Sequence, residues 1–197
     1  MPKGITLTDK TIQDRQQQIS AAAKELFLSK GFRRTSMQDI AQAVDAGKST
    51  LYDYFQTKDD ILIVILEEYI NDLIVSAEGI YQKELPARDK LKQIMLNHMQ
   101  YLLCSRNLLG MMTNEVQRMG ALKQMRFQQK RLEYQTLIST VIQAGVQDGS
   151  FRPVDSMLCA NMVLVVTNPT VLAGIPAENA QQKLDEIVDI FFGGLEA

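Results

Sequence analysis

A chain of 197 residues, 46% hydrophobic and 22% charged with a formal charge of -2, can bury one large core or two small ones, which excludes a disordered protein. Its opening segment, MPKGITLTDK, has no apolar run and so predicts no signal peptide, and Cys104 and Cys159 lie too far apart to form a metal or redox motif. The near-neutral total would argue against a nucleic-acid partner if it were evenly spread. It is not, because residues 1–58 hold nine Lys or Arg against six Asp or Glu, a net of +3 that leaves -5 for the remainder.

Thr11 to Lys30 reads as the first helix, with Ile19, Ala22, Ala23, Leu26 and Phe27 on one face and Gly31 as its stop. Ser36 followed by Asp39 fits an S-x-x-D capping box, so a second helix should begin there. Met37, Ile40, Ala41 and Val44 then recur at helical spacing, leaving Gln38, Asp39 and Gln42 toward water. Asp45-Ala46-Gly47 makes a connection of about three residues, with Gly47 as a modest N-cap for a third helix over Lys48 to Phe55. Leu51 and Phe55 face inward in that helix, and Lys48, Ser49, Thr50, Tyr52 and Tyr54 are left for other partners. Thr57-Lys58-Asp59-Asp60 caps a long fourth helix to about Lys83, with Leu62, Ile65, Leu66, Tyr69 and Leu73 inward. Beyond Pro86 the pattern predicts helices over about 87–104, 108–119, 121–148, 154–168 and 178–192, with breaks at Gly149-Ser150 and Asn168-Pro169. No strand alternation, repeat or low-complexity segment appears. The chain is expected to be all-α, with a three-helix domain over 11–57 and a larger helical domain over 58–197 introduced by the long fourth helix.

Two short helices around a tight turn form a helix-turn-helix, whose second helix offers its N-terminal residues to the major groove while the first crosses the backbone. Lys48 stands where its own charge and the helix N-terminus both favour phosphate. Lys58 sits in the first turn of the fourth helix, where a cation opposes the dipole, and this placement points to an external anion such as a phosphate.

At these residues the chain resembles the tetracycline-repressor (TetR) family of transcriptional regulators. The likeness lies in Gly31-Phe32, Thr35-Ser36-Met37, Asp39-Ile40-Ala41, Lys48-Ser49-Thr50-Leu51-Tyr52-Asp53-Tyr54-Phe55, and Lys58 with Ile61-Leu62, and covers roughly residues 12 to 72. The resemblance implies a DNA-binding domain of three helices, a helical regulatory domain, a homodimer and control by a small molecule. It also implies that Thr35, Lys48, Thr50, Tyr52 and Lys58 match phosphate-touching places, and that Ser49 and its neighbours can face bases. Together with Ser36, Gln38 and Tyr54, these make up the expected DNA-binding set. One departure stands out: family members of this kind carry Gly-Val-Ser ahead of the lysine, where this chain has Asp45-Ala46-Gly47.

In the larger domain, His98, Tyr101, Asn114, Glu115, Tyr134 and Asn161 are polar groups on otherwise apolar helices. They form the candidate lining for a small, mainly hydrophobic ligand. Glu115 has an alternative partner in Arg118 one turn on, and the methionines between 95 and 125 suit either packing or ligand contact. Leu184, Ile187, Val188 and Phe191 on the last helix, with Met162 and Val165 on the one before, make apolar surfaces expected to pair across a two-fold axis. The apolar stretch from Met157 to Pro176 is interrupted by Asn161, Asn168 and Pro169, which suits a core or interface and not a membrane span. No catalytic, cofactor or metal motif is present. The expectation is a cytoplasmic, homodimeric repressor bound to a double-stranded operator and released by an effector. The alternative is a DNA-bound occlusion protein of the same fold that meets a protein partner.

Overall fold

The structure is a computed structural model that describes residues 9–104, 115–166 and 180–195. Those residues form eight helices: α1 (Asp9–Lys30), α2 (Met37–Ala43), α3 (Lys48–Tyr54), α4 (Lys58–Tyr81), α5 (Ala87–Cys104), α6 (Ala121–Gln147), α7 (Ser156–Val166) and α8 (Ala180–Gly193). The fold is all-helical, and each expected helix on described residues falls within a few residues of its predicted span. The helix expected over 108–119 lies mostly outside the described residues, as do Asn114 and the Asn168-Pro169 break.

The described residues up to Glu68 join 115–126 in one compact unit, and the others form a second. The change of unit occurs inside α4, eleven residues beyond the expected domain border at residue 58. The first unit also takes in a segment from the middle of the sequence.

In the first unit, Ile19, Ala23 and Phe27 of α1 pack with Ile40 and Ala41 of α2 and Leu51 of α3, all buried. Phe32 meets Phe27 edge-on at 4.9 Å between ring centres, closing the end of α1. Gly31 makes the stop with φ at 89°, in the left-handed region that favours glycine. In the second unit, α8 packs on α5, and Leu91, Ile94, Ile138, Val141, Ile142 and Phe192 are buried. Phe151, just beyond the end of α6, lies against Gly145, where a Cβ would meet its ring at 2.3 Å. Glycine is required at 145 by close approach, and at 149 by a φ of 79°. No described helix is long and apolar enough to cross a membrane.

Candidate nucleic-acid interface

The first helix of the pair is anchored by its caps. The Ser36 hydroxyl accepts from the Asp39 backbone N–H at 3.1 Å, and Asp39 Oδ2 accepts from the Ser36 N–H and hydroxyl at 2.7 Å each. Lys30 adds an ion pair to Asp39 at 2.8 Å. Its hydrogen bond, followed by those from the Ser36 backbone and side chain, holds the Asp39 carboxyl well below the usual carboxylate range. At the other end, Arg15 donates to the Val44 carbonyl at 3.2 Å, and the backbone N–H groups of Val44, Asp45 and Ala46 bond back to Ile40, Gln42 and Ala41.

The turn shows how the chain manages without the usual glycine. Asp45 takes φ of 48°, the one non-glycine positive φ among the described residues, which a short polar side chain tolerates better than most. Gly47 occupies the N-cap in an extended conformation with no side-chain bond. Leu51 and Phe55 are buried, so α3 is held by its inner face, and Lys48, Ser49 and Thr50 at its leading end are exposed. The Lys48 ammonium lies 5.8 Å from the Tyr52 ring centre, a cation–π approach that tethers it beside a half-buried aromatic. Ser36, the N-cap of α2, is exposed, as are Gln38 and Gln42 on that helix, and Tyr54 is half-buried.

Two members of the expected set have inward partners. Thr35 is only 1% exposed, and its hydroxyl donates to the carbonyls of Gly31 at 2.9 Å and Leu26 at 3.3 Å. Its side chain caps α1 and is not presented to solvent. Lys58 has a partner other than the expected external anion: its ammonium donates to the carbonyls of Phe32 at 2.8 Å, Thr35 at 3.2 Å and Arg33 at 3.3 Å, and lies 4.5 Å from the Phe32 ring centre. A cation at the start of α4 is thus explained by the carbonyl-rich end of the α1–α2 connection.

The expected ligand residues do not form one cluster. His98 and Tyr134 stack at 5.4 Å with Nδ1 and the phenol oxygen 3.0 Å apart. His98 is 6% exposed, and burial, with Arg131 adding to it, pushes its pKa down to about 4, so the ring is neutral near pH 7. Tyr101 donates to Asp72 at 2.5 Å and packs on Tyr69 at 4.7 Å. The Tyr69 hydroxyl is buried with no hydrogen-bond partner among the described residues, a feature that residue type and spacing do not reveal. Glu115 belongs to the first unit, where Arg33 pairs with it at 2.9 Å and Arg118 at 3.6 Å. Asn161 is exposed on α7, and Asn114 lies outside the described residues.

On the last two helices, the exposed Met162 and Ile190 line an apolar groove of about 390 Å³ with Ile187, Phe191 and Cys159, and Val165 is exposed on α7. Val188, expected at an interface, is 0% exposed and packs inside its own unit. The Leu184 side chain lies outside the described ones.

The sequence matches a family model described as bacterial regulatory proteins, tetR family, over residues 19–65, and another described as tetracyclin repressor-like, C-terminal domain, over residues 84–171. Among its relatives, the HTH-type transcriptional repressor KstR2 of Rhodococcus jostii is 27% identical over 139 residues, 70% of this chain and 68% of that one. The fatty acid metabolism regulator protein of Bacillus subtilis is 24% identical over 155 residues, 78% of this chain and 80% of the relative. The crystal structure of the transcriptional regulator FadR from Bacillus subtilis in complex with stearoyl-CoA aligns with a TM-score of 0.77 at 21% identity, over 90% of this chain and 98% of that one, which shows the shared fold.

Proposed function

Because the chain belongs to the TetR family of bacterial regulatory proteins and is on that ground a DNA-binding transcriptional regulator, we propose that it is a homodimeric repressor released from its operator by a small, mainly hydrophobic ligand. The observation that carries the reading is the exposed leading end of α3, with Lys48, Ser49 and Thr50 free of the core while Leu51 and Phe55 fix the helix behind them. In this reading Lys48, Thr50 and Tyr52 meet phosphates, and Ser49 and Gln38 stand near base edges. Thr35 and Lys58 shape the surface from behind.

Two recognition helices must reach successive major grooves about 34–36 Å apart, which calls for a dimer. The apolar groove lined by the exposed Met162 and Ile190, with the exposed Val165 on α7, supplies the face for it. The effector chemistry is drawn from the match to a fatty acid metabolism regulator and from the structure of a regulator crystallised with stearoyl-CoA, together with an apolar second unit that carries a few polar groups: the bonded pair His98 and Tyr134, and the Tyr69 hydroxyl, which has no hydrogen-bond partner among the described residues. Helix α4 has 24 residues and so runs about 36 Å, and it contributes to both units. It is the element through which ligand occupancy would bias the recognition helices.

The test is to recover bound duplexes by in vitro selection, measure the shift of one recovered site, and titrate acyl-CoAs from short chains up to stearoyl-CoA into the complex. Release of DNA by the acyl-CoA at concentrations that leave the fold intact supports the ligand-controlled repressor. Retention of DNA with every acyl chain length points to control through a protein partner.

A further inference from the structure

The residues ahead of α6 and in its first turns belong to the DNA-binding unit although they lie far along the chain, and ionic contacts tie them there. Arg33 pairs with Glu115 at 2.9 Å, and Arg126 reaches Glu67 with two bonds of 3.0 and 2.7 Å. Between them, Lys123 meets the joint that follows the recognition helix. Thr57 and Asp60 form a capping box at the start of α4: Asp60 Oδ2 accepts from the Thr57 backbone N–H and hydroxyl at 2.7 Å each, and the Asp60 N–H donates to Thr57 Oγ1 at 3.2 Å. Lys123 Nζ donates to the free oxygen, Asp60 Oδ1, at 2.9 Å and to Thr57 Oγ1 at 3.0 Å.

The arrangement differs from an ordinary surface ion pair. The Lys123 and Asp60 side chains are 24% and 29% exposed, and every oxygen of the box is engaged, so the groups act as one network. Burial pushes the Asp60 carboxyl up, but the hydrogen bonds from Lys123 and Thr57 outweigh it and hold the group below its ordinary value. A cation at a helix N-terminus opposes the dipole, so Lys123 is held there by Asp60 and Thr57, not by α4 itself. Only Phe55 and Gln56 separate this box from Tyr54, the last residue of α3. The buried Phe55 ring and the bonded Thr57 leave α3 little freedom to change its tilt.

We propose that Lys123 is a positioning residue for DNA binding: through Thr57 and Asp60 it holds the α3–α4 joint, and with it the recognition helix, in the orientation that docks, without touching DNA. The proposal rests on the reading of α3 as the DNA-facing helix.

The experiment is equilibrium binding of the full chain to a duplex recovered by in vitro selection, at several salt concentrations, with folded protein quantified by circular dichroism. Lys123→Met should raise the Kd about tenfold, equivalent to about 1.4 kcal/mol, with the slope of log Kd against log salt unchanged. Lys123→Arg should stay close to the parent. Lys48→Ala, as a control for direct contact, should weaken binding and lower that slope by about 0.9. Should Lys123→Met fold poorly, Asp60→Asn removes the same ion pair from the other side, and the double variant should be no weaker than the weaker single. A parental Kd for Lys123→Met, a slope lowered by about 0.9, or additive effects of the two substitutions would overturn the positioning role. An unaltered Kd for Lys48→Ala would overturn the reading of α3 on which it rests.

Discussion

Replacing Lys58 by methionine separates two roles that one lysine at this place can play. Methionine keeps most of the stem's volume and removes the ammonium, so the carbonyls of Phe32, Arg33 and Thr35 lose their common donor and the Phe32 ring loses the cation 4.5 Å from its centre. Only the 2.8 Å bond to Phe32 has ideal length, and the others, at 3.2 and 3.3 Å, are weak. One charge-assisted bond contributes roughly 1.5–3 kcal/mol. The cation–π approach adds about 0.5–1 kcal/mol at a partly exposed site. Allowing for water that reaches the freed carbonyls, Lys58→Met should cost about 2 kcal/mol, or about 4–8 °C in Tm for a chain of this size. The assay pairs thermal denaturation with salt-dependent DNA binding. The inward role predicts a lowered Tm and a salt slope equal to the parent's. A parental Tm with a slope reduced by about 0.9, the mark of one lost phosphate contact, would refute the reasoning.

Gly145→Ala should destabilise the second unit by about 1–2 kcal/mol, because overpacking costs roughly 1–3 kcal/mol and the better helix propensity of alanine returns only part of it; the new Cβ would sit 2.3 Å from the Phe151 ring, and a Tm at or above the parent's would contradict this. Asp45→Gly should leave DNA binding intact and raise stability by about 0.5–1 kcal/mol in urea denaturation, since the residue holds φ of 48°; a loss of stability would mean that the Asp45 side chain does more than tolerate the turn. His98 has a folded pKa of about 4, below its ordinary 6.5, so the unfolded chain takes up the proton first on acidification. Its contribution is full above about pH 6.5 and is lost as pH falls toward 4. Stability should drop by about 2 kcal/mol between pH 7 and 5 in the parent, and a His98→Gln variant should show a flatter profile in the same denaturation series. Val165→Glu, at an exposed apolar position on α7, should shift sedimentation from dimer to monomer without unfolding the chain; a dimer of parental strength would move the interface elsewhere.

What the sequence disclosed was local. The Ser36–Asp39 and Thr57–Asp60 boxes, the Gly31 stop and the Asp45 turn each depend on residues a few positions apart, and their spacing alone carries the physics. Leu51 and Phe55 turn inward as the helical period requires. Lys58 was legible as an anomaly, a cation against the dipole, but its acceptors lie 23–26 residues earlier, and nothing in local spacing names them. Lys123 reaches Thr57 across 66 positions and was not singled out at all. The same distance effect divides the polar residues of the larger domain. His98 and Tyr134 do meet, but Glu115 is drawn to Arg33 in the other unit, and Asn161 and Val188 take the opposite exposure from the one expected of a pocket wall and an interface. Periodicity marks a helix's apolar stripe but not which neighbour covers it.

The most direct measurement is binding of a selected duplex by the parent and by Lys48→Ala, with Gln42→Ala as a surface control, by fluorescence anisotropy over a range of salt. Lys48→Ala should bind more weakly at every salt concentration, across related duplexes alike, with a shallower salt dependence. Indistinguishable isotherms for the parent and Lys48→Ala would contradict this, since the leading end of α3 would then lie away from the duplex.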